Sequence, residues 1–214
     1  MQQIYLDNAA TTPVRPEVEE VMQPYFCEKY GNPSGIYKMA SECRQALETV
    51  RKQIGETLKV SAEEIYFTSG GTESDNWAIK STAQRLKEKG KHIITSKIEH
   101  HAVLNSCAYL ETQGFEVTYL DVDEWGCVRF DALQRAIRKD TILISIMYAN
   151  NEVGTIQPIE QIGKIAKEND IFFHTDAVQA YGQIPIDVRR ENIHLLSASA
   201  HKFNGPKRGG IFFI

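Results

Sequence analysis

From residue 65 onward the chain alternates short apolar runs with amphipathic stretches, and this alternation constrains the fold more than any other feature. The runs at 65–68, 92–96, 115–120, 141–148, 171–175, 193–197 and 211–214 are rich in Ile, Leu, Phe, Val and Thr. Each is too short for a buried helix and is bounded by turn-forming residues, so each reads as a strand. Between them, 74–89, 101–112, 130–138 and 159–168 read as helices. Strand–helix alternation predicts an α/β domain of three layers, a largely parallel sheet with helices on both faces. Upstream, a short strand is expected at 4–6 and helices at 16–29 and 37–58, parted by the turn Gly31-Asn-Pro-Ser-Gly35. Ser61-Ala-Glu-Glu64 is a capping-box pattern.

The 214 residues, 42% hydrophobic and 24% charged, can bury the core of one globular domain. A formal charge of −4 argues against nucleic acid or an anionic membrane as partner, and no apolar run is long enough to cross a bilayer. Residues 1–7 carry none of the basic and apolar regions of a secretory signal, and Cys27, Cys43, Cys107 and Cys127 are widely spaced. Free thiols and a cytoplasmic location are therefore expected. The last residues, Gly210-Ile-Phe-Phe-Ile214, form an apolar run that wants neighbours on both sides. The expectation is a portion of a larger protein, cut near its middle.

Four strand ends carry residues with chemistry. Ser69-Gly-Gly-Thr-Glu73 leads from a strand into a helix, where freed backbone N–H groups form an anion site suited to phosphate; a purely structural glycine turn is the alternative. Asp176 stands where an apolar strand runs out, so its carboxylate needs a cation or several donors. A protonated pyridine nitrogen would serve, with Gln179 within reach of the same ligand. A helix N-cap, or a metal pair with His174, are the alternatives. Of His100 and His101 at most one can act on a given ligand, and an exposed helix start accounts for either. Asn150-Asn-Glu-Val-Gly154 offers amides to a phenolate oxygen or simply turns the chain.

Lys202 lies among small residues in Ser197-Ala-Ser-Ala-His-Lys-Phe-Asn-Gly-Pro-Lys-Arg-Gly-Gly210, again at a strand end. A lysine that acts as a nucleophile must have its pKa lowered from about 10.4 by burial or nearby charge, which the flanking His201, Lys207 and Arg208 could contribute, and an aldehyde cofactor is the ligand it would capture. His100, Asn151, Asp176 and Lys202 thus share one address, the carboxyl edge of the sheet, where open α/β folds bind ligands. No HExxH or CxxC accompanies the histidines, so a metal hydrolase is disfavoured and no metal site is assigned.

In combination, Tyr5-Leu-Asp-Asn-Ala-Ala-Thr-Thr, Gly31-Asn-Pro-Ser, Thr68-Ser-Gly-Gly-Thr-Glu-Ser-Asp-Asn, Glu99-His-His-Ala-Val-Leu, Asn150-Asn-Glu-Val-Gly, Asp176-Ala-Val-Gln and Ser199-Ala-His-Lys-Phe-Asn-Gly-Pro-Lys resemble the cysteine desulfurases of the NifS/IscS type. These are class V, fold-type I enzymes of pyridoxal 5'-phosphate. The resemblance implies Lys202 as the catalytic lysine that holds the cofactor and Asp176 as partner of its ring nitrogen. It implies His100 as the residue stacked on the ring and assisting as acid or base, and Asn151 and Gln179 as donors to the phenolic oxygen. Gly71, Thr72, Ser199 and His201 would hold the phosphate. The implied reaction converts L-cysteine to L-alanine and leaves a persulfide for iron–sulfur cluster assembly or tRNA thiolation, in a homodimer that passes sulfur to an acceptor protein.

The same resemblance implies that residues 1–214 form the cofactor-binding large domain, with residues 1–15 associating with the small domain of a complete chain. The family's persulfide cysteine and its arginine for the substrate carboxylate lie beyond this chain, and none of the four cysteines here is at the nucleophile position, so the chain alone is expected to be inactive. Similar enzymes usually have Gly where Arg208 stands, which predicts an altered turn there. Another class V enzyme, a selenocysteine lyase or an aminotransferase, is the first alternative. A non-catalytic truncated product that binds a partner is the second.

Overall fold

Seven strands, Ile65–Thr68 (β1), His92–Ser96 (β2), Glu116–Leu120 (β3), Thr141–Ser145 (β4), Phe172–Asp176 (β5), Leu195–Ser199 (β6) and Gly210–Phe213 (β7), form one sheet in the order β1-β7-β6-β5-β4-β2-β3. The computed structural model describes residues 4–214. The strands from β6 to β3 in that order pair in parallel, while β7 runs antiparallel to both β1 and β6. β2, β4 and β6 are buried along their whole length, as the continuous apolar runs require of a sheet covered twice.

Alternation along the strands divides the core. Ile94, Ile144, Phe173, Leu196 and Ala198 face one layer, where they meet Leu58 of Lys38–Leu58 (α3), Leu133 of Phe130–Ala136 (α6) and Ile162 of Ile159–Glu168 (α7). Ile93, Leu143, Leu195 and Phe212 face the other, against Ala78, Ile79 and Ala83 of Gly71–Leu86 (α4) and Val103, Cys107 and Leu110 of His101–Thr112 (α5). The three-layer, largely parallel α/β architecture expected from the sequence is therefore present. All four cysteines are free thiols. Among the described residues no helix is long and apolar enough to cross a membrane.

The departures lie near the N-terminus and at element ends. Residues 4–6 form no strand; Ile4 and Leu6 are 77% and 85% exposed. The segment that follows is instead tied to the loop after β6, where Thr12 donates through its N–H and its hydroxyl to the His201 carbonyl and Arg15 N–H donates to Asn204. The helix expected over 16–29 is broken into Pro16–Met22 (α1) and Pro24–Cys27 (α2), because Pro24 has no N–H to continue the ladder. β4 ends at Ser145, three residues earlier than expected, although 146–149 stay buried and extended beside β5. The capping box at Ser61 and Glu64 is present and closes a 3-10 turn ahead of β1.

In the loop joining β6 to β7, Arg208 sits at φ 62, the left-handed conformation that glycine adopts without penalty. The turn has kept the glycine-type backbone and the side chain bears the cost, roughly 1–2 kcal/mol less what glycine loses in unfolded-state entropy. Arg208→Gly is accordingly expected to stabilise the chain by about 0.5–1 kcal/mol. The change should be read as a higher urea midpoint at unchanged slope.

Candidate functional site

A cavity of about 800 Å³ opens at the carboxyl edge of the sheet, lined by the ends of β1, β5 and β6, the start of α4, the segment before α5 and the Asp7–Thr11 loop. The turn from β1 into α4 shapes one wall. Gly70 at φ 151 lets the chain reverse, and Thr68 Oγ1 and Ser74 Oγ exchange a hydrogen bond at 2.8 Å across it. Glu73 accepts the Ser69 N–H at 2.6 Å, which holds its carboxyl below the usual range and locks the loop. The first N–H groups of a helix have no partner within it, so those of Gly71 and Thr72 begin α4 as free donors. Ser199, the last residue of β6, stands beside them: a Cβ on Gly71 would lie 3.6 Å from the Ser199 Cβ. β7 comes so close to this turn that a Cβ on Gly210 would lie 2.6 Å from the Gly70 Cα.

On the facing side Asp176 closes β5 with its side chain 5% exposed. Its Oδ1 accepts the Val178 N–H at 2.9 Å and bends the chain into a turn; no helix follows, so the N-cap alternative does not apply. Burial pushes its carboxyl up, and the Val178 N–H with the charges of His100 and Lys202 pulls it back. His174, on the same face of β5, is not free to pair with it on a metal. Its Nδ1 meets Ser145 Oγ at 2.8 Å, its Nε2 meets Ser197 Oγ at 3.0 Å, and burial pushes its pKa down to about 3. Among the described residues no group of three or more His, Cys, Asp or Glu could hold a metal ion.

Lys202 follows β6 in a single 3-10 turn, Ala200–Lys202, and donates to the carbonyls of Ala9 and of Ala10, the latter at 3.0 Å. Burial lowers its pKa, with Asp176 and Asp7 opposing the shift. His201 is held through Nδ1 by Thr11 Oγ1 at 3.1 Å, and its pKa falls through burial and the neighbouring Lys202 and Lys207. His100 caps α5, its Nδ1 accepting the Ala102 N–H at 3.1 Å, and lines the cavity; His101, already inside the helix, does not. Asn150 spends its side chain on the turn, accepting from Glu152 and Val153 N–H groups, which leaves Asn151 at the cavity wall. Gln179 lines the cavity too and donates to the Ala9 carbonyl at 2.9 Å. The structure thus brings Gly71, Thr72, His100, Asn151, Asp176, Gln179, Ser199, His201 and Lys202 to one cavity.

Two features escaped sequence reasoning. The Ala9–Thr11 loop roofs the lysine, which small residues at Ala9 and Ala10 hinted at. Two further carboxyls, Asp75 and Glu99, are buried close to Asp176. Lys207 and Arg208, expected beside the lysine, do line the cavity, but burial rather than their charge lowers the Lys202 pKa. No cysteine lines the cavity; Cys107 is buried in the core, its thiol pushed up to about 12.

The sheet order, and an amine, a buried carboxyl and a helix start converging at its carboxyl edge, are those of the fold-type I pyridoxal phosphate enzymes. Within that class the chain belongs to the aminotransferase class-V family, whose model matches residues 4–214. It is 63% identical to a cysteine desulfurase IscS of Methanosarcina thermophila over 99% of this chain and 52% of that protein. It is 58% identical to the Dictyoglomus turgidum protein of the same name, over 100% of this chain and 54% of that one. Among solved structures a NifS-like protein superposes with a TM-score of 0.97 at 44% identity, covering 100% of this chain and 59% of the other. SspA in complex with cysteine superposes with a TM-score of 0.96 at 45% identity, covering 99% and 61%. The chain spans about half the length of the curated relatives it matches.

The buried Glu99 makes the site's stability depend on pH. Burial raises its pKa from 4.5 to about 8, so the native state keeps a proton that the unfolded chain releases above its ordinary carboxyl range. The native state binds the extra proton, and stability therefore falls as pH rises from about 4.5 towards 8. Glu99→Gln keeps an oxygen for Ser96 and for the Met147 N–H and removes the titration. Urea unfolding should show this variant gaining on the unaltered chain by a few kcal/mol between about pH 5 and pH 8.

Proposed function

We propose that this chain is the cofactor-binding large domain, residues 1–214, of a homodimeric cysteine desulfurase, and that its cavity takes pyridoxal 5'-phosphate. The observation that carries the reading is the convergence of the Lys202 amine, the buried Asp176 carboxyl and the free N–H groups at the start of α4 on one cavity. The donor set fits the cofactor. Asp176 is a buried acid with no cation bonded to it, which a protonated ring nitrogen would supply. The α4 start with Thr72, Ser199 and His201 offers hydrogen-bond donors suited to a phosphate. Lys202 is an amine whose burial raises its neutral fraction. Bound there, the cofactor would supply an electron sink for the substrate's α-carbon.

The chain's own residues divide the remaining work. Lys202 would hold the cofactor covalently, leaving its contacts with Ala9 and Ala10, and move a proton at the substrate's α-carbon. Asp176 would keep the ring nitrogen protonated, and its burial strengthens that hold because no water competes for the charge. His100, fixed by its cap on α5, would lie against the ring, and Asn151 and Gln179 would donate to its phenolic oxygen. The names of the relatives and the cysteine bound in a 45% identical structure support L-cysteine as substrate, with L-alanine as product. The sulfur would pass to a cysteine thiol outside this chain, since none of its own four lines the cavity. From there it would go to an acceptor protein for iron–sulfur cluster assembly or tRNA thiolation, in the cytoplasm. Ile4 and Leu6, exposed beside the anchored Thr12, would meet the small domain together with the rest of residues 1–15.

Borohydride reduction of the chain loaded with pyridoxal 5'-phosphate, followed by peptide mapping, tests the reading. The label should fall on Lys202 and disappear in Lys202→Ala. A label spread over exposed lysines, or unchanged by that substitution, rules it out. For the reaction itself, the full-length protein should release L-alanine from L-cysteine.

A further inference from the structure

Beneath the cavity three carboxyls are buried together: Asp75 on α4, Glu99 ahead of α5 and Asp176 at the end of β5, exposed by 1%, 5% and 5%. Among the described residues no lysine or arginine comes within ion-pair distance of any of them; the nearest basic group is His174, whose Nε2 lies 3.6 Å from Asp75 Oδ1. Asp75 Oδ1 and Glu99 Oε2 have no hydrogen-bond partner at all. A buried charge without a partner costs several kcal/mol, so three anions cannot coexist here, and the cluster must hold protons.

We propose that Asp75 is a positioning residue of the cofactor site, a carboxyl that keeps its proton so that Asp176 is the sole anion facing the ring nitrogen. The proposal rests on the cofactor reading above and goes one layer deeper. The assignment of protons follows from the donors each group commands. Burial pushes the Asp176 carboxyl up as well, but the Val178 N–H on Oδ1 and the nearby charges of His100 and Lys202 oppose it, and neither Asp75 nor Glu99 has such cationic neighbours. Glu99 Oε1 takes the Ser96 hydroxyl at 2.6 Å and the Met147 N–H at 3.0 Å, yet burial still pushes it up to about 8. Asp75 is the poorest in donors. Burial drives its pKa well up, the charges of Asp176 and Glu99 push it further, and only the Ser197 hydroxyl opposes them.

Full burial keeps His174 neutral, so it does not supply the missing cation; its ring nitrogens meet the hydroxyls of Ser145 and Ser197. The titratable groups facing Asp75 from the surrounding elements are therefore Glu99, His174 and Asp176, with His100 and Lys202 beyond them at the cavity and the neutral thiol of Cys107 behind Glu99. A second anion beside Asp176 would compete for the one positive charge at the ring nitrogen. A protonated Asp75 fills the same space, lines the same floor and leaves that charge to Asp176.

Two measurements test this, the first without any cofactor. In the chain labelled with 13C at aspartate side-chain carboxyls, the Asp75 resonance, assigned by its loss in Asp75→Asn, should keep the protonated position from about pH 6 to about pH 8. Asp75→Asn, an isosteric stand-in for the protonated form, should fold normally. In the cofactor-loaded full-length protein it should move the pH midpoint of the cofactor's absorbance by less than about half a unit, while Asp176→Asn moves it by more than about one unit, a tenfold change in proton affinity. An Asp75 resonance at the ionised position near pH 7, an Asp75→Asn chain that does not fold, or a midpoint moved by half a unit or more would overturn the proposal. Failure of any chromophore to form on Lys202 would sink the cofactor reading instead, and the carboxyl titration would still decide the state of Asp75.

Discussion

A carboxylate at the dry end of a parallel sheet is the constraint on which the rest of the site depends. Asp176 is carried there by β5, whose preceding residues Phe173 and His174 are fully buried between the two helical layers. Such a group cannot be left alone, because at 5% exposure an unpaired charge is costly. The surrounding polar residues answer to it in turn. The Val178 N–H binds it directly, Ser145, His174 and Ser197 form a neutral hydrogen-bonded row below it, and Lys202 and His100 stand above it at the cavity. On the same face Leu143, Leu195 and Phe212 pack beneath the row.

The connection that completes the site is long in sequence and short in space. The loop after β6 is held by residues from the opposite end of the chain: Thr11 to His201, Thr12 to His201 and Asn204, and Ala9 and Ala10 to Lys202. These bonds fix the lysine by roofing it, since the single 3-10 turn that carries it has little stiffness of its own. Residues 4–6 form no strand and stay exposed, and it is the backbone of residues 9–15 that is used on this loop. β7 adds the last restraint, approaching the Gly70 turn so closely that only glycine fits at 210.

Much of this was legible in the residues. Strands at 65–68 and 92–96 and helices at 101–112 and 159–168 have the bounds their apolar patterns predict, because each is a local pattern with clear turn residues on both sides. The convergence of His100, Asn151, Asp176 and Lys202 followed from placing each just past a strand end in a largely parallel sheet. The misreadings have equally physical sources. Ile4, Tyr5 and Leu6 look like a strand because apolar alternation says nothing about whether a neighbouring strand exists. The break at Pro24 was hidden by apolar spacing that continues across it. Nothing in the sequence marked Asp75 and Glu99 as buried, since a carboxyl's burial depends on what packs over it from other elements.

By itself the sequence determined the α/β class, the strand and helix identities from residue 65 onward, and the presence of residue types able to hold an aldehyde, a ring nitrogen and a phosphate. Those follow from periodicity and side-chain chemistry, which act locally. The tertiary structure supplied the geometry behind two of those residues: the turn consumes the Asn150 side chain and leaves Asn151 at the cavity wall, and His100 lines the cavity from the cap position while His101 lies inside the helix. It alone decided that the N-terminal loop covers the lysine and that three carboxyls are buried near one another. Contacts between residues more than a hundred positions apart are set by sheet order and register, and those depend on the packing of the whole core.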